Sequence, residues 1–361
     1  MQIGIVGFPF AGKSTLFQTI TNIHIDANSF GKNESHHAVI KVPDERLDVL
    51  AQIFSPQKIT YASIEIVDVV GLKKGETGSP QFTGKFLSEV KNNDALVQVV
   101  RLFDNEVVPH PFKSNDILRD VSYFETEFII SDMSILEARI DRIKKQIQKS
   151  GGIELKNELP TLEKAYNFLQ NEIPLREANL DNNELAILKN YSLLTLKPML
   201  ITLNLGENYR ITEENYIQML REKKSGTNTK VFSFYGKIEH EMSELQKEDI
   251  DIFMAEYNIK ESALNKLIRE AYDLLGLHSF YTVGEDECRA WTIKKNTTAN
   301  VAAGVIHSDI MNKFIRAEVV SYNDFIAHGG SFVKLKQNGL LRLEGKEYIV
   351  NDGDIITFRH G

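Results

Sequence analysis

Short, dense apolar runs recur along the first two thirds of the chain, separated by stretches with helical spacing. Gln2-Ile3-Gly4-Ile5-Val6-Gly7 is one such run and ends at a glycine; Thr15-Leu16-Phe17-Gln18-Thr19-Ile20 continues as a helix. Ser63-Ile64-Glu65-Ile66-Val67-Asp68, Ala95-Leu96-Val97-Gln98-Val99-Val100 and Pro198-Met199-Leu200-Ile201-Thr202-Leu203 read as further strands. Near-continuous apolar strands with helices between them predict an α/β fold, a doubly wound and mainly parallel sheet covered on both faces.

The interval from Asp68 to Asn204 is too long for two strand–helix units, which need about 60 residues, so about 70 residues are inserted there. Within it Leu136, Ile140, Ile143 and Ile147 repeat at four and three, as do Leu155, Leu159, Leu162, Tyr166 and Leu169. These are coiled-coil seam spacings. Ser150-Gly151-Gly152 reads as the turn between the two runs. Ser134 with Glu137 has the form of a capping box at the first helix start. Pro160 predicts a kink or restart in the second helix. An antiparallel helical arm over 129–191 accounts for this pattern, although two ordinary core helices would share its periodicity.

After a helix at Leu264 to Leu275 the pattern changes to strands: Phe280-Tyr281-Thr282-Val283, Ala290-Trp291-Thr292-Ile293, Ala317-Glu318-Val319-Val320, Leu340-Leu341-Arg342-Leu343, Tyr348-Ile349-Val350 and Ile355-Ile356-Thr357-Phe358. Asn351-Asp352-Gly353-Asp354 is a tight-turn signal. A small α+β module closes the chain. The expected domains are therefore 1–128 with 192–276, the arm 129–191, and 277–361.

Charge narrows the partners. The net charge of -8 gives no global driving force for nucleic acid, so any RNA contact needs a local basic patch or shape. Residues 277–361 carry ten basic and ten acidic side chains. No apolar run reaches the ~20 residues of a membrane span. MQIGIVGF lacks a basic leader, so no secretory signal and a cytoplasmic location are expected. Cys288 is the one cysteine, which excludes an internal disulfide. His36-His37 without a carboxylate make a poor metal site. Trp291 with Phe280-Tyr281 reads as core, and Lys144, Lys145 and Lys149 as a solvated face.

Gly7-Phe8-Pro9-Phe10-Ala11-Gly12-Lys13-Ser14 fits G-x-x-x-x-G-K-[ST] between a strand and a helix. Such a loop wraps phosphates with backbone N–H groups at a helix N-terminus. Phe10, Ala11, Gly12, Lys13, Ser14 and Thr15 are the expected phosphate-binding residues. Lys13 is placed to reach the β- and γ-phosphates, and the Ser14 hydroxyl to coordinate Mg²⁺. Asp68 ends the second strand, where a carboxylate reaches Mg²⁺ through water, and Gly71 can offer its N–H to a γ-phosphate. Leu72 stands where Ras-type GTPases orient water with glutamine. Asn204-Leu205-Gly206-Glu207 ends the fourth strand, where such sheets bind ligands. GTPases read guanine with the Asp of N-K-x-D at this place; Leu205 and Glu207 depart from it. Adenine presents N6 and N7 groups that an asparagine amide can match.

These motifs together resemble the YchF/Obg-like ATPase family of P-loop NTPases. The resemblance extends over nearly all of the chain: the P-loop, Asp68 to Leu72 with Lys73-Lys74-Gly75, Val99-Val100-Arg101, Leu196-Lys197-Pro198, and Lys237-Ile238-Glu239-His240-Glu241. Arg289-Ala290-Trp291-Thr292-Ile293, Ala303-Gly304-Val305-Ile306-His307, Phe314-Ile315-Arg316-Ala317-Glu318 and Leu343-Glu344-Gly345-Lys346-Glu347-Tyr348-Ile349-Val350 resemble its TGS domain, a β-grasp module. The resemblance implies ATP as ligand or substrate, Mg²⁺, slow hydrolysis and association with the ribosome or its large subunit. It implies a regulatory role in translation or stress, with RNA contact through the arm and the TGS domain. It places adenine near Asn204, Leu205, Glu207 and Gly236, makes the hydrophobic Leu72 a family trait, and offers His110 as the group that positions water.

Several positions depart from that family. Phe10-Ala11 replaces Asn-Val in the P-loop. Lys32 falls where a switch threonine completes the Mg²⁺ shell, Gly78-Ser79-Pro80-Gln81-Phe82 replaces a glycine-rich turn, and Tyr235 replaces a small residue. The expectation is a divergent ATPase. A nucleotide-dependent binding module that does not hydrolyse, and a GTP-preferring enzyme, are the alternatives.

Overall fold

The structure is a computed structural model that describes residues 1–23, 35–69, 71–74, 80–105, 107–108, 110–150, 153–224, 228–257, 259 and 261–361. Lys32 and the rest of the altered first switch, Gly75 to Ser79, and the Gly151-Gly152 turn lie outside the described residues. The chain divides into two units, Met1–Val39 with Glu65–Leu274 and Ile40–Ile64 with Leu275–Gly361.

The first unit is built on a six-stranded sheet in the order His36–Lys41, Ser63–Asp68, Gln2–Gly7, Ala95–Leu102, Met199–Leu205, Thr229–Phe234. The five strands from Ser63–Asp68 to Thr229–Phe234 pair in parallel. Every residue of Ala95–Leu102 and Met199–Leu205 is buried, as unbroken apolar runs in the middle of a covered parallel sheet require. Parallel pairing also brings the ends of these strands to one edge, so Gly7, Asp68, Leu102, Leu205 and Phe234 all deliver their loops there.

The inserted arm is a helix hairpin, and its first helix is longer than the pattern predicts. It runs without a break over Ile117–Ser150. Ser134 is therefore mid-helix and caps nothing; its hydroxyl donates back to the Ile130 carbonyl at 3.0 Å. The sequence before it, Ile117 to Met133, contains no glycine or proline to stop a helix. The second helix, Ile153–Gln170, continues through Pro160 without restarting. Leu136, Ile140 and Ile143 meet Leu162, Ala165 and Leu169 in one buried cluster, which is the seam that the spacing predicts.

Buried charges fasten the root of the arm. The Asp132 carboxylate is fully buried and accepts from the Leu194 N–H at 2.9 Å, the Thr195 N–H at 2.7 Å and the Thr195 hydroxyl at 2.7 Å. Glu125, about two turns earlier in the same helix, takes both Arg176 and Lys224. Such groups tolerate burial only because each is paired.

The second unit holds a sheet in the order Arg342–Glu344, Phe314–Ser321, Asp354–His360, Leu277–Thr282, Glu287–Lys294, Lys58–Thr60. Phe280, Ile293, Ala302, Val319 and Ile356 form its core with Ala299 and Ala303 of the helix Ala299–Ile306. Tyr348 to Val350 is not a strand; it makes a single bridge, Thr298 to Ile349, because its backbone bonds go to Thr297 and Ala299.

The last strand of that sheet comes from a segment that the expected boundaries assign to the first domain. Residues 40–64 belong to the second unit. Lys58–Thr60 pairs in parallel with Glu287 to Arg289. The helix Glu45–Phe54 buries Leu47, Leu50 and Ala51, and Phe54 stacks on Phe325. Arg46 bonds Asp352 at 2.8 Å, and the Tyr281 hydroxyl donates to Asp44 at 2.5 Å.

Replacing Asp132 by alanine removes the acceptor of three donors. We expect a loss of about 3 kcal/mol or more. It should appear as a lower urea midpoint with an unchanged m-value.

Candidate functional site

The site grows from the edge at which the parallel strands end. Gly7 leads into the P-loop, and the helix Lys13–Thr21 starts at its far side. The Lys13 ammonium donates to the Phe8 carbonyl at 3.0 Å inside the loop. Burial pulls its pKa down, opposed by the Asp68 charge. The Ser14 hydroxyl donates to Asp68 Oδ2 at 3.0 Å. Burial pushes the Asp68 carboxyl up, against Lys13, Ser14 and His36. The other oxygen, Oδ1, is buried without a hydrogen-bond partner among the described residues. The Ser14 hydroxyl and the Asp68 carboxylate, one of whose oxygens is unsatisfied, form a hard oxygen donor set that fits Mg²⁺.

A single amide ties three loops together. Asn204 donates from Nδ2 to the Ala11 carbonyl at 3.0 Å and accepts at Oδ1 from the Gly236 N–H at 3.0 Å. Glycine is obligatory at both neighbours. A Cβ on Gly12, whose φ is 95°, would sit 2.0 Å from Asn204 Nδ2, and one on Gly236 would sit 2.8 Å from Oδ1. The expected base contacts are arranged around this amide. Asn204 is 5% exposed, and one of its amide N–H groups and its carbonyl oxygen already bond to backbone. Gly236 likewise commits its N–H to Asn204. The Leu205 side chain lies in the core, which leaves only its backbone for a ligand. Glu207 remains exposed, with Lys237 Nζ 3.6 Å from its carboxylate.

The remaining predicted residues divide the same way. Phe10 is 60% exposed and Ala11 is buried. Gly71 has open space around it. Leu72 packs into the core. Tyr235 turns its bulk inward, where its hydroxyl donates to Glu213 at 2.5 Å.

His110 is the largest departure. Its imidazole is buried, with Nε2 2.8 Å from Asp120 Oδ2 and Nδ1 accepting from the Phe112 N–H at 3.1 Å. An Nδ1 that accepts carries no proton, so the ring is the neutral Nε2–H form. Burial lowers its pKa and favours that form. Neither nitrogen is free to hold a water. Sequence reasoning did not find Asp120; the available signal is an aspartate in the first turn of the helix that follows the histidine loop. Nor did it find Arg101, which orders that loop by donating to the carbonyls of Phe103 and Val108 at 3.1 and 2.7 Å.

Fold and loop together define a P-loop NTPase domain of the GTPase class. A family model described as a 50S ribosome-binding GTPase matches residues 2–133, and the YchF-GTPase_C model, described as a protein of unknown function, matches 277–361. The chain is 39% identical to the ribosome-binding ATPase YchF of Haemophilus influenzae, over 99% of this chain and 98% of that protein. It is 38% identical to the protein of the same name from Bacillus subtilis, over 99% of each. The solved Schizosaccharomyces pombe YchF GTPase superposes with a TM-score of 0.87 at 30% identity, covering 99% of this chain and 97% of that one. The chain belongs to the YchF family. Among the described residues no helix is long and apolar enough to cross a membrane.

Two predictions follow from the loop and its neighbour. Phe10 holds a left-handed backbone, φ 63°, which costs a non-glycine residue about 1–2 kcal/mol. Asparagine tolerates that conformation, so Phe10→Asn should raise unfolding stability by about 1 kcal/mol in urea titration. Glu239, in the helix Gly236–Ser243, accepts from the Ala263 N–H at 2.8 Å, and burial lifts its pKa to about 7. A carboxyl raised in the folded state stabilises it below the unfolded pKa and loses that contribution as pH rises to about 7. Glu239→Gln keeps the acceptor. It should match the parent near pH 4.5 and exceed it by about 1–3 kcal/mol at pH 8.

Proposed function

We propose that this protein binds ATP with Mg²⁺ and hydrolyses it slowly, and that it does so in association with the ribosome. The observation that carries the reading is the P-loop whose Ser14–Asp68 pair leaves one buried carboxylate oxygen unsatisfied beside Lys13. Ser14 and Asp68 would hold Mg²⁺, which when bound neutralises charge on the β- and γ-phosphates. Backbone N–H groups of Phe10 to Thr15 wrap the phosphates, and Lys13 exchanges the Phe8 carbonyl for phosphate oxygens. Gly71 can donate to the γ-phosphate. The protein supplies position and charge, and water attacks the γ-phosphorus while the bond to the β–γ bridging oxygen breaks.

The choice of base rests on Glu207. Guanine needs a carboxylate that accepts two hydrogen bonds, and Glu207, at the place of that reader, is longer than the usual aspartate and lies 3.6 Å from Lys237. Adenine has no such requirement. This supports ATP over the alternative of a GTP-preferring enzyme. The binding-module alternative draws support from the buried His110, which in this conformation cannot orient water.

Ribosome binding is part of the relatives' names and comes to this chain by kinship. The large subunit is the expected partner. Arg142, Lys145 and Lys149 share one exposed face of the arm helix and offer a local basic stripe in a chain of net charge -8. That face, with the TGS module, is the candidate for RNA contact.

Titration with fluorescent ATP and GTP analogues, competed by unlabelled nucleotide, tests the reading. ATP should bind at least about tenfold tighter than GTP, a difference of about 1.4 kcal/mol. Ser14→Ala should abolish the Mg²⁺ dependence. Sedimentation with 50S subunits should carry the protein down. Equal affinity for both nucleotides overturns the base assignment, and no binding of either overturns the whole proposal.

A further inference from the structure

The segment that carries Glu207 is tied at both ends to one short stretch of the neighbouring loop. It runs from Gly206 through the short 3₁₀ helix Glu207–Thr212 into the helix Glu213–Lys223. Just before its start, Asn204 takes the Gly236 N–H at 3.0 Å. At its far end the Glu213 carboxylate accepts from two hydroxyls of the same stretch. Ser233 donates to one oxygen, and Tyr235 to the other at 2.5 Å. These residues lie two positions apart where the strand Thr229–Phe234 ends, so both side chains leave on one face and a single carboxylate reaches them. Both are buried. Burial, and then the Glu213 side chain, raise the Tyr235 pKa, so the phenol remains a donor. Its ring lies in the apolar cluster that holds Ile217 of the helix and Tyr209 of the segment, and the Arg210 guanidinium stands 5.5 Å over it. Lys266 steadies the strand end by donating to the Ser233 carbonyl at 3.2 Å. Within the segment the Gly206 N–H donates to the Leu102 carbonyl at 2.9 Å, and the Tyr209 N–H to the Gly206 carbonyl at 3.0 Å. Tyr235, which stands where the family has a small residue, thus supplies half of the second tie.

We propose that Glu213 and Tyr235 are positioning residues for the nucleotide base: they hold the Leu205–Glu207 backbone at a fixed distance from Gly236. The inference rests on the reading that ATP binds with its base beside Asn204, Leu205, Glu207 and Gly236. Glu213 and Tyr235 spend their polar atoms on one another and act through the segment between them. A segment whose ends are already tied loses less freedom when a base settles on it, and the saving appears as affinity. The phosphates do not share in it, because they bind at Phe10 to Thr15, on a different loop.

Competition against a fluorescent ATP analogue separates base from phosphate, with ATP and tripolyphosphate as the competitors and Mg²⁺ present. The full chain is used as the parent, Tyr235→Phe, Glu213→Ala and the double variant. Tyr235→Phe removes one hydroxyl and keeps the ring. It should weaken ATP about fivefold and leave tripolyphosphate unchanged. Glu213→Ala should weaken ATP about tenfold, and adding Tyr235→Phe to it should cost nothing further. An unchanged ATP affinity in folded Tyr235→Phe overturns the proposal. An equal fall for ATP and tripolyphosphate, which is what general damage to the domain gives, overturns it too, as does an additive loss in the double variant. A parent that binds no ATP is instead the failure of the ATP reading, and it is visible before any variant is made.

Amide hydrogen exchange in the unliganded protein gives a second readout. The amides of 206–212 should exchange faster in Tyr235→Phe and Glu213→Ala, while those of the helix Lys13–Thr21 keep the parent's rates. Unchanged exchange over 206–212 overturns the tie whatever the nucleotide result.

Discussion

One buried amide organises the working edge of this protein. Asn204 reaches from the end of its strand to the P-loop carbonyl of Ala11 and to the N–H of Gly236, and both partners are backbone. Backbone partners cannot be retuned by rotamer, so the three loops keep a fixed separation. The two glycines exist to let the amide in. Everything proposed for phosphate and metal depends on that separation, because Lys13 and Ser14 follow Gly12 directly. Asn204 is thus a tie between these loops as well as an expected base contact.

The arm illustrates a different economy. Its seam is apolar, as its spacing requires, but its root is held by carboxylates that accept from several donors at once. Apolar contacts alone permit a helix to slide or rotate against its neighbours. A buried carboxylate with three assigned donors permits one register, since any other leaves charge unpaired in the interior. The long helix therefore passes from the histidine loop to the arm as one rigid element with fixed depth and rotation.

The sequence made the P-loop, the parallel strands and the arm seam legible, because each is a local pattern with a local cause. The eight residues from Gly7 to Ser14 carry their own geometry, and Ala95–Leu102 announces a covered strand by composition alone. What stayed hidden depends on pairs distant along the chain. Nothing local to Asn204 reveals its backbone partners, Ala11 and Gly236. Leu205 sits one position on and points the other way, as strand alternation dictates. Ser134 imitates a cap because nothing local reveals that the helix had already begun at Ile117. His110 was identifiable as chemistry but not as captive, since its partner's meaning appears only when the loop folds back.

The membership of residues 40–64 in the second unit bears on how the protein can be taken apart. A fragment cut at the composition change near residue 277 would lose the strand Lys58–Thr60 and the helix Glu45–Phe54. It would expose the Glu287–Lys294 strand as an open edge, uncover the apolar surface that received Leu47, Leu50 and Phe54, and leave Asp352 without its arginine. The module is thus not a bead on a string. Its covalent boundary and its physical boundary differ, and a gene fragment that encodes an intact version must carry both pieces, joined by a new connection where the first unit used to be.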